Sequence, residues 1–284
     1  MLYLEGDGGI RLAADEWGPP DAAPVLLLHG GGQTRHAWGG TGATLGDAGF
    51  HAIALDTRGH GDSDRAPDAD YRLDRLVDDV VAVCAGFDRA PAVVGASLGG
   101  IAALLAEGER DPTAGTEHDL AALVMVDAAA RIEADGAMRI REFMTSAPDG
   151  FADLESAAAA IAEYMPHRPR PADLSGLAKN LREGDDGRWR WHWDPDLIHG
   201  PLRPAVGLAA DRLEAAARNV RIPTLLVRGK LSDVISEEGA REFCTLVPHA
   251  EFTDVSGAGH MVAGDRNDVF TAAVVEFLRR VLPA

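Results

Sequence analysis

Short apolar runs alternate with helical patterns along most of the chain, an order typical of βαβ units and a mostly parallel sheet. Near the N-terminus, residues 2–4 and 10–17 alternate between apolar and polar positions, which predicts an antiparallel hairpin at a sheet edge. Apolar stripes predict flanking helices over residues 71–87 and 268–281. The predicted buried strands are 25–28, 51–55, 92–94, 122–126, 224–227 and 251–255.

The alternation stops between residues 130 and 219. This segment is rich in Ala, Arg and Asp, and its helical patterns lie near residues 136–143, 154–164 and 209–218, with no convincing buried strand. We interpret it as a helical insertion over the sheet. The predicted organisation is an α/β core of residues 1–129 and 220–284 and a helical cap, or lid, of residues 130–219.

Composition narrows the class of protein. The chain has 284 residues, 46% of them hydrophobic and 25% charged, as is ordinary for a soluble globular protein. A formal net charge of −18 argues against a nucleic-acid partner, because phosphate binding needs a basic face. We see no apolar run that could cross a membrane and no signal-peptide pattern, and we expect both cysteines to be reduced. These features predict a cytoplasmic protein; the oligomeric state is left open.

One pentapeptide carries a candidate nucleophile. The apolar run that ends at Val94 leads into Gly95-Ala-Ser97-Leu-Gly99, and a helical pattern follows directly. A serine in a tight strand-to-helix turn needs small neighbours, because side chains at positions 95 and 99 would collide with the turn. The turn places the Ser97 hydroxyl at a helix N-terminus, where developing negative charge is favoured.

A serine nucleophile needs a base and an orienting carboxylate. His260 follows the last predicted strand, in a glycine-containing loop that can carry it over the sheet edge. Asp233 follows the preceding predicted strand and is the favoured acid. Asp127 also ends a strand and stays open as the alternative, whereas Asp254 lies within a predicted strand.

These motifs together resemble the serine α/β-hydrolases, the large group of esterases, lipases and C–C hydrolases. The resemblance covers most of the chain outside the insertion, and the order Ser, Asp, His is the one found in that family. The segment 29–32, His-Gly-Gly-Gly, resembles the family's oxyanion loop, and 56–63 resembles its loop after the next strand. The segments 229–233 and 257–260 resemble its acid and histidine loops.

The resemblance implies an α/β-hydrolase fold and a mechanism. Ser97 would attack an acyl carbonyl, His260 would accept its proton, and Asp233 would hold the imidazole. The N–H groups of Gly31 and Leu98 would form the oxyanion hole. We expect hydrolysis of a small to medium ester or lactone. A C–C hydrolase of vinylogous diketones and a perhydrolase use the same triad and remain alternatives, as does a catalytically silent small-molecule sensor.

Other chemistries of this fold are disfavoured. The turn carries Ser97 where haloalkane dehalogenases and epoxide hydrolases carry an aspartate, and Met261 stands where hydroxynitrile lyases carry a lysine. No cluster of Cys, His and carboxylates has metal-ligand spacing, and no dinucleotide or P-loop glycine pattern occurs. We therefore expect no metal and no cofactor. His29 is expected to brace the oxyanion loop.

Three of the five tryptophans, Trp189, Trp191 and Trp193, lie within five consecutive positions. Two-residue spacing would scatter indoles around a helix, whereas an extended segment places them on one face. Asp186-Gly187 before them and Pro195 after them predict such an extended segment. The indoles either anchor the insertion to the core or line the substrate pocket. The pocket residues expected here are Gly32, Trp38, Trp189, Trp191, Trp193 and Met261.

Overall fold

The sheet predicted from the apolar runs is present in the computed structural model of the chain, which describes residues 1–110, 120–166, 173–204, 209–262 and 267–282. Each predicted strand is confirmed, with ends shifted by at most two residues. The strands are β1 (Leu2–Glu5), β2 (Arg11–Trp17), β3 (Pro24–Leu28), β4 (His51–Leu55), β5 (Ala92–Ala96), β6 (Ala122–Val126), β7 (Leu181–Glu183), β8 (Trp189–Trp191), β9 (Thr224–Gly229) and β10 (Glu251–Val255).

Eight of these strands form one sheet in the order β1-β2-β4-β3-β5-β6-β9-β10. Strands β4, β3, β5, β6, β9 and β10 run parallel, so their carboxyl ends meet at one edge. The predicted N-terminal hairpin is confirmed, since β1 pairs antiparallel with β2, and β2 with β4. The loops that carry every candidate catalytic residue leave the sheet at the carboxyl edge.

Helices cover both faces of the sheet, which explains why the central strands are apolar throughout. In β3, Leu26 and Leu28 belong to one core cluster, whereas Val25 and Leu27 belong to the other, as expected from the two-residue period of a strand. The helices are α1 (Gly39–Asp47), α2 (Leu73–Ala85), α3 (Leu98–Gly108), α4 (Ala134–Thr145), α5 (Leu154–Tyr164), α6 (Ser175–Ala178), α7 (Asp196–His199), α8 (Ala210–Asn219), α9 (Glu237–Leu246) and α10 (Asn267–Val281).

The segment between β6 and β9 contains the predicted helices and a hairpin that was not predicted. Strands β7 and β8 pair antiparallel, and β8 is the tryptophan-rich stretch itself. The extended conformation predicted for this stretch is therefore confirmed over Trp189–Trp191.

The structure places α8 in the core. Its buried Leu213, Ala216 and Ala217 belong to the same apolar cluster as α3, and a Cβ at Gly108 would lie 2.3 Å from the carbonyl oxygen of Ala216. Helix α8 thus packs tightly on α3 in the layer beside the sheet. The predicted insertion, which ends at residue 219, includes this helix. The amphipathic pattern of α8 shows that it has a buried face but not which element covers it.

Two expectations from composition can be compared with the described residues. Cys84 is buried, Cys244 is half-buried, and neither forms a disulfide bond. Across the described ranges, we find no helix with both the length and the apolar character needed to cross a membrane.

Candidate active site

Ser97 makes the sharp turn that its motif predicts. Strand β5 ends at Ala96 and helix α3 begins at Leu98, so one residue forms the whole connection. The Ser97 backbone has φ 46° and ψ −115°, a strained conformation that costs on the order of 1–3 kcal/mol. Its hydroxyl makes no capping hydrogen bond to α3. The turn therefore presents an oxygen that the helix does not use.

The neighbouring glycines are required by close packing, as predicted. A Cβ at Gly95 would lie 2.6 Å from the Gly100 backbone, and a Cβ at Gly99 would lie 2.7 Å from the carbonyl oxygen of His29. Contacts of this length do not occur between real Cβ atoms and backbone, so larger residues would push α3 away from β3 and β5. The same close approach brings the N-terminus of α3 beside the loop that follows β3.

His260 is held by a buried carboxylate. Its Nδ1 lies 2.6 Å from Oδ2 of Asp127, which leaves the Nε2 side of the ring for a substrate or nucleophile. The Ser232 hydroxyl donates to the same Oδ2 at 2.5 Å, and the backbone N–H of Gly229 donates to Oδ1 at 3.0 Å. A buried carboxylate that accepts three hydrogen bonds has a well-defined position. It can orient His260 and stabilise an imidazolium on that ring.

The prediction that Asp233 orients His260 is wrong in this structure. Asp233 forms an exposed ion pair with Arg139 on α4, and Asp127 occupies the position beside the histidine. The physical reason is the turn after β9, in which the Ser232 N–H donates to the Gly229 carbonyl at 2.9 Å. That turn directs Ser232 towards Asp127. Helix α4 meanwhile packs on the backbone of Asp233, since a Cβ at Gly136 would lie 2.1 Å from the Asp233 carbonyl oxygen.

Two free amides lie beside Ser97. In the loop after β3, the Gly30 N–H donates to Oε1 of Gln33 at 3.0 Å and the Gly32 N–H donates to Nε2 of His60 at 3.1 Å. Within the described part of the chain, neither Gly31 N–H nor Leu98 N–H has a hydrogen-bond acceptor. A Cβ on Gly31 would contact Leu98 at 3.6 Å, so these amides belong to neighbouring residues.

Two buried histidines fix this loop. Nδ1 of His29 lies 2.8 Å from the Gly30 carbonyl, and its Nε2 accepts the Thr57 N–H at 3.1 Å. His60 holds Gly32 by accepting its N–H at an unprotonated Nε2. Burial lowers the pKa of His29 to about 4 and that of His60 to about 3, so both rings are neutral at pH 7. These contacts agree with the bracing role expected of His29.

A cavity of about 500 Å³ opens onto Ser97 and His260. Among the residues predicted to line a pocket, Gly32, Trp38, Trp191, Trp193 and Met261 do line it, together with Gly31. Both the core and the segment after β6 contribute walls. The cavity therefore lies between the sheet edge and the insertion, over the nucleophile.

Trp189 does not line this cavity, contrary to the prediction. It packs beside Phe151, Ala157 and Leu181 in a separate apolar cluster of the insertion. Its backbone also pairs with Phe151, with N···O distances of 2.7 and 2.8 Å. Trp189 is thus an anchor within the insertion, whereas Trp191 touches both that cluster and the cavity.

Several cavity residues carried no recognisable motif. Gln33 directly follows the segment 29–32, and its Nε2 lies 3.2 Å from the Met261 sulfur, so it joins that loop to the residue after His260. The apolar positions of α4 and α5 could have been assigned to a buried face from their spacing, but not to a cavity. The described lining residues that sequence reasoning missed are Gln33, Ile140, Phe143, Met144, Ile161, Tyr164, Met165, Leu177 and Asn180, among others.

Comparisons of the sequence and of the structure with known proteins point to the same family. A model described as "Alpha/beta hydrolase family" matches residues 25–273. The esterase Rv0045c of Mycobacterium tuberculosis is 29% identical, over 95% of this chain and 86% of its own length. A 2-(acetamidomethylene)succinate hydrolase of Mesorhizobium japonicum is 28% identical, over 81% of this chain and 78% of its own. A crystal structure of E-2-(acetamidomethylene)succinate hydrolase superposes with a TM-score of 0.82 at 23% identity, covering 98% of this chain and 99% of that one.

Replacing each candidate acid separates their roles. We expect Asp127→Asn to lower kcat for an activated ester by about 10⁴-fold, because an amide at this position no longer stabilises the imidazolium or its tautomer. The matched variant Asp233→Asn should change kcat by less than about threefold, since Asp233 contacts Arg139 at the surface. Steady-state kinetics on both, with circular dichroism to confirm folding, make the measurement. The assignment fails if Asp233→Asn is the inactive variant.

The neutral histidines predict acid sensitivity of the fold. In the unfolded chain a histidine takes up a proton near pH 6.5, whereas His29 and His60 stay neutral in the fold down to about pH 4 and 3. The unfolded state then binds more protons, so the free energy of unfolding falls as pH falls below 6.5, by up to about 1.4 kcal/mol per pH unit for each histidine. Urea denaturation between pH 7.5 and 5 measures this slope. It should be shallower in His60→Gln, and equal slopes would contradict the role.

Proposed function

Because the chain belongs to the alpha/beta hydrolase family, we propose that it is a serine hydrolase of small to medium carboxylic esters or lactones. The observation that carries the proposal is the strained turn at Ser97, which lines the same cavity as a carboxylate-held His260. A strained residue persists where the surrounding structure enforces it, and such residues cluster at functional sites. The esterase among the relatives supports the same reaction class.

In the proposed reaction, the Ser97 oxygen attacks the acyl carbon while Nε2 of His260 accepts the hydroxyl proton. The tetrahedral intermediate collapses, the C–O bond to the alcohol breaks, and the alcohol leaves with the proton from His260. A water molecule then attacks the acyl-serine while His260 accepts its proton. The second tetrahedral intermediate collapses, the C–O bond to Ser97 breaks, and His260 returns the proton to the Ser97 oxygen as the acid departs. Asp127 keeps the Nδ1–H of His260 directed away from the nucleophile throughout.

The free amides of Gly31 and Leu98 suit the oxyanion of this intermediate. They have no acceptor within the described residues, whereas the adjacent amides of Gly30 and Gly32 donate to Gln33 and His60. Donors that are already in place stabilise developing charge without reorganisation, and each is typically worth about 10²–10³ in rate. The helix N-terminus at Leu98 adds favourable partial positive charge.

The walls of the cavity support an uncharged substrate. Among its described lining residues there is no lysine or arginine, and burial, together with the neighbouring Arg35, lowers the pKa of His36. A succinate derivative, as in the name of the Mesorhizobium relative, carries carboxylates that would lack a cationic partner there. We therefore favour neutral esters over such substrates.

We also propose that the insertion between residue 130 and the start of α8 acts as a lid. Helices α4 and α5 and strand β8 supply cavity residues such as Phe143, Ile161 and Trp191. They cover the carboxyl edge of the sheet, where Ser97 and His260 lie. A cover of this kind excludes water from the acyl-enzyme and selects substrates by shape.

Labelling tests the nucleophile. A fluorophosphonate should add to Ser97 in the wild-type protein, and mass spectrometry of the peptide should locate the adduct. Ser97→Ala should show no adduct and lose ester turnover by at least about 10³-fold. Labelling at any other serine would contradict the mechanism.

A substrate panel tests the reaction class alongside the label. It should contain short esters, lactones, a dienoic diketone for C–C cleavage, and an ester with added peroxide for perhydrolysis. Ester or lactone turnover supports the proposal. Turnover of the diketone alone overturns it in favour of a C–C hydrolase, and labelling without any turnover indicates a ligand sensor.

A further inference from the structure

Four aromatic side chains form one continuous side of the cavity, which we call the aromatic wall: Phe143, Tyr164, Trp191 and Trp193. Phe143 stacks on Tyr164 with ring centroids 4.3 Å apart and planes 12° apart. Trp191 stacks on Trp193 at 5.1 Å and 8°. Phe143 meets Trp191 edge to face at 5.6 Å and 63°, so the two stacks meet at a corner.

The wall reaches the reacting groups. A Cβ at Gly32 would lie 3.1 Å from Cζ3 of Trp193, so this indole touches the loop after β3. The preceding residue in that loop, Gly31, carries one of the two amides proposed for the oxyanion. All four wall residues are half-buried, which leaves part of each ring open to the cavity. A group that rests on Trp193 therefore lies next to this loop, in the cavity that Ser97 also lines.

The wall is also uncharged. Burial, with the nearby Asp233 carboxylate, raises the pKa of Tyr164 to about 12, so its phenol is neutral at physiological pH. Arg139 lies over the Tyr164 ring at 5.6 Å but is not among the residues that line the cavity. The charge of Arg139 is paired with Asp233 outside the cavity. None of the described residues that line the cavity is a lysine or an arginine.

We propose that the preferred substrates are neutral esters bearing a flat aromatic ring, on either the acyl or the alcohol side, which extends the ring stacks of the wall. This inference rests on the proposed ester hydrolysis at Ser97 and names its substrate class. Aromatic rings prefer offset-stacked and edge-to-face neighbours, and the corner offers both. An aliphatic group of equal size gains the apolar burial but not these contacts.

Matched ester pairs test the ring itself. Methyl 3-phenylpropanoate against methyl 3-cyclohexylpropanoate places the ring on the acyl side, and benzyl acetate against cyclohexylmethyl acetate places it on the alcohol side. Within each pair the carbon count is equal, and cyclohexyl has at least as much apolar surface to bury. We expect kcat/KM, normalised by the alkaline hydrolysis rate, to favour the aromatic ester by about three- to tenfold in at least one pair.

Variants in one hairpin provide the control. In the pair that shows the preference, Trp191→Leu should lower the aromatic-to-cyclohexyl ratio of kcat/KM to about one. Trp189→Leu should leave this ratio unchanged, because Trp189 lies outside the cavity. Thermal denaturation shows whether each variant is folded. If Trp191→Leu is not folded, Phe143→Leu on α4 makes the same test.

The inference and the proposed function fail in different ways. If the esters are turned over but the aromatic-to-cyclohexyl ratio of kcat/KM is one or less in both pairs, the aromatic inference alone is overturned. A choline ester preferred over all four esters also overturns it, in favour of a cation–π site. If no ester is turned over, the proposed function fails. Calorimetric binding of the same pairs to Ser97→Ala then decides the ring preference, with tighter binding of the aromatic member supporting it and equal or weaker binding overturning it.

Discussion

The close packing of helix α3 against strands β3 and β5 is the constraint on which the site depends. Gly95, Gly99 and Gly100 allow backbones to meet where any side chain would overlap. Only one residue then remains to reverse the chain, and Ser97 takes a conformation that it would not adopt alone. The packing energy of a buried helix and two central strands is thereby used to hold one hydroxyl and one helix N-terminus beside the oxyanion loop.

The rest of the site is built outward from that turn by buried polar contacts. Asp127, also at positive φ, follows the neighbouring strand and reaches His260, Ser232 and the Gly229 amide. On the other side, His29 and His60 hold the oxyanion loop with neutral rings. Each of these groups is buried and hydrogen-bonded, so the position of each is determined by its neighbours and not by its own flexibility.

The spacing of apolar residues and the sequence motifs predicted most of the α/β core, because both depend on local sequence. The strands and the Ser97 turn could be located this way, and so could the loops bearing Gly31 and His260. The choice between Asp127 and Asp233 could not, since both residues leave adjacent parallel strands at the same edge. It depends on how the turn after β9 packs against α4, which is a tertiary contact. Trp189 and Trp191 likewise lie on the same face of the predicted extended segment. Both contact the cluster around Phe151, and only the tertiary structure shows that Trp191 also lines the cavity whereas Trp189 does not.

Two backbone hydrogen bonds link the tryptophan-rich segment to the loop that holds the Gly32 amide. The Gly61 N–H donates to the His192 carbonyl at 2.8 Å, and the Asp194 N–H donates to the Gly59 carbonyl at 2.7 Å. The segment that follows β8 is therefore hydrogen-bonded to the loop around His60. His60 in turn holds the Gly32 amide. A ligand that displaced Trp193 would disturb these backbone hydrogen bonds and, through His60, the position of the Gly32 amide. For the ester hydrolysis proposed above, poorly fitting esters would thus be discriminated by a slower acylation step, even where they bind as well as good ones.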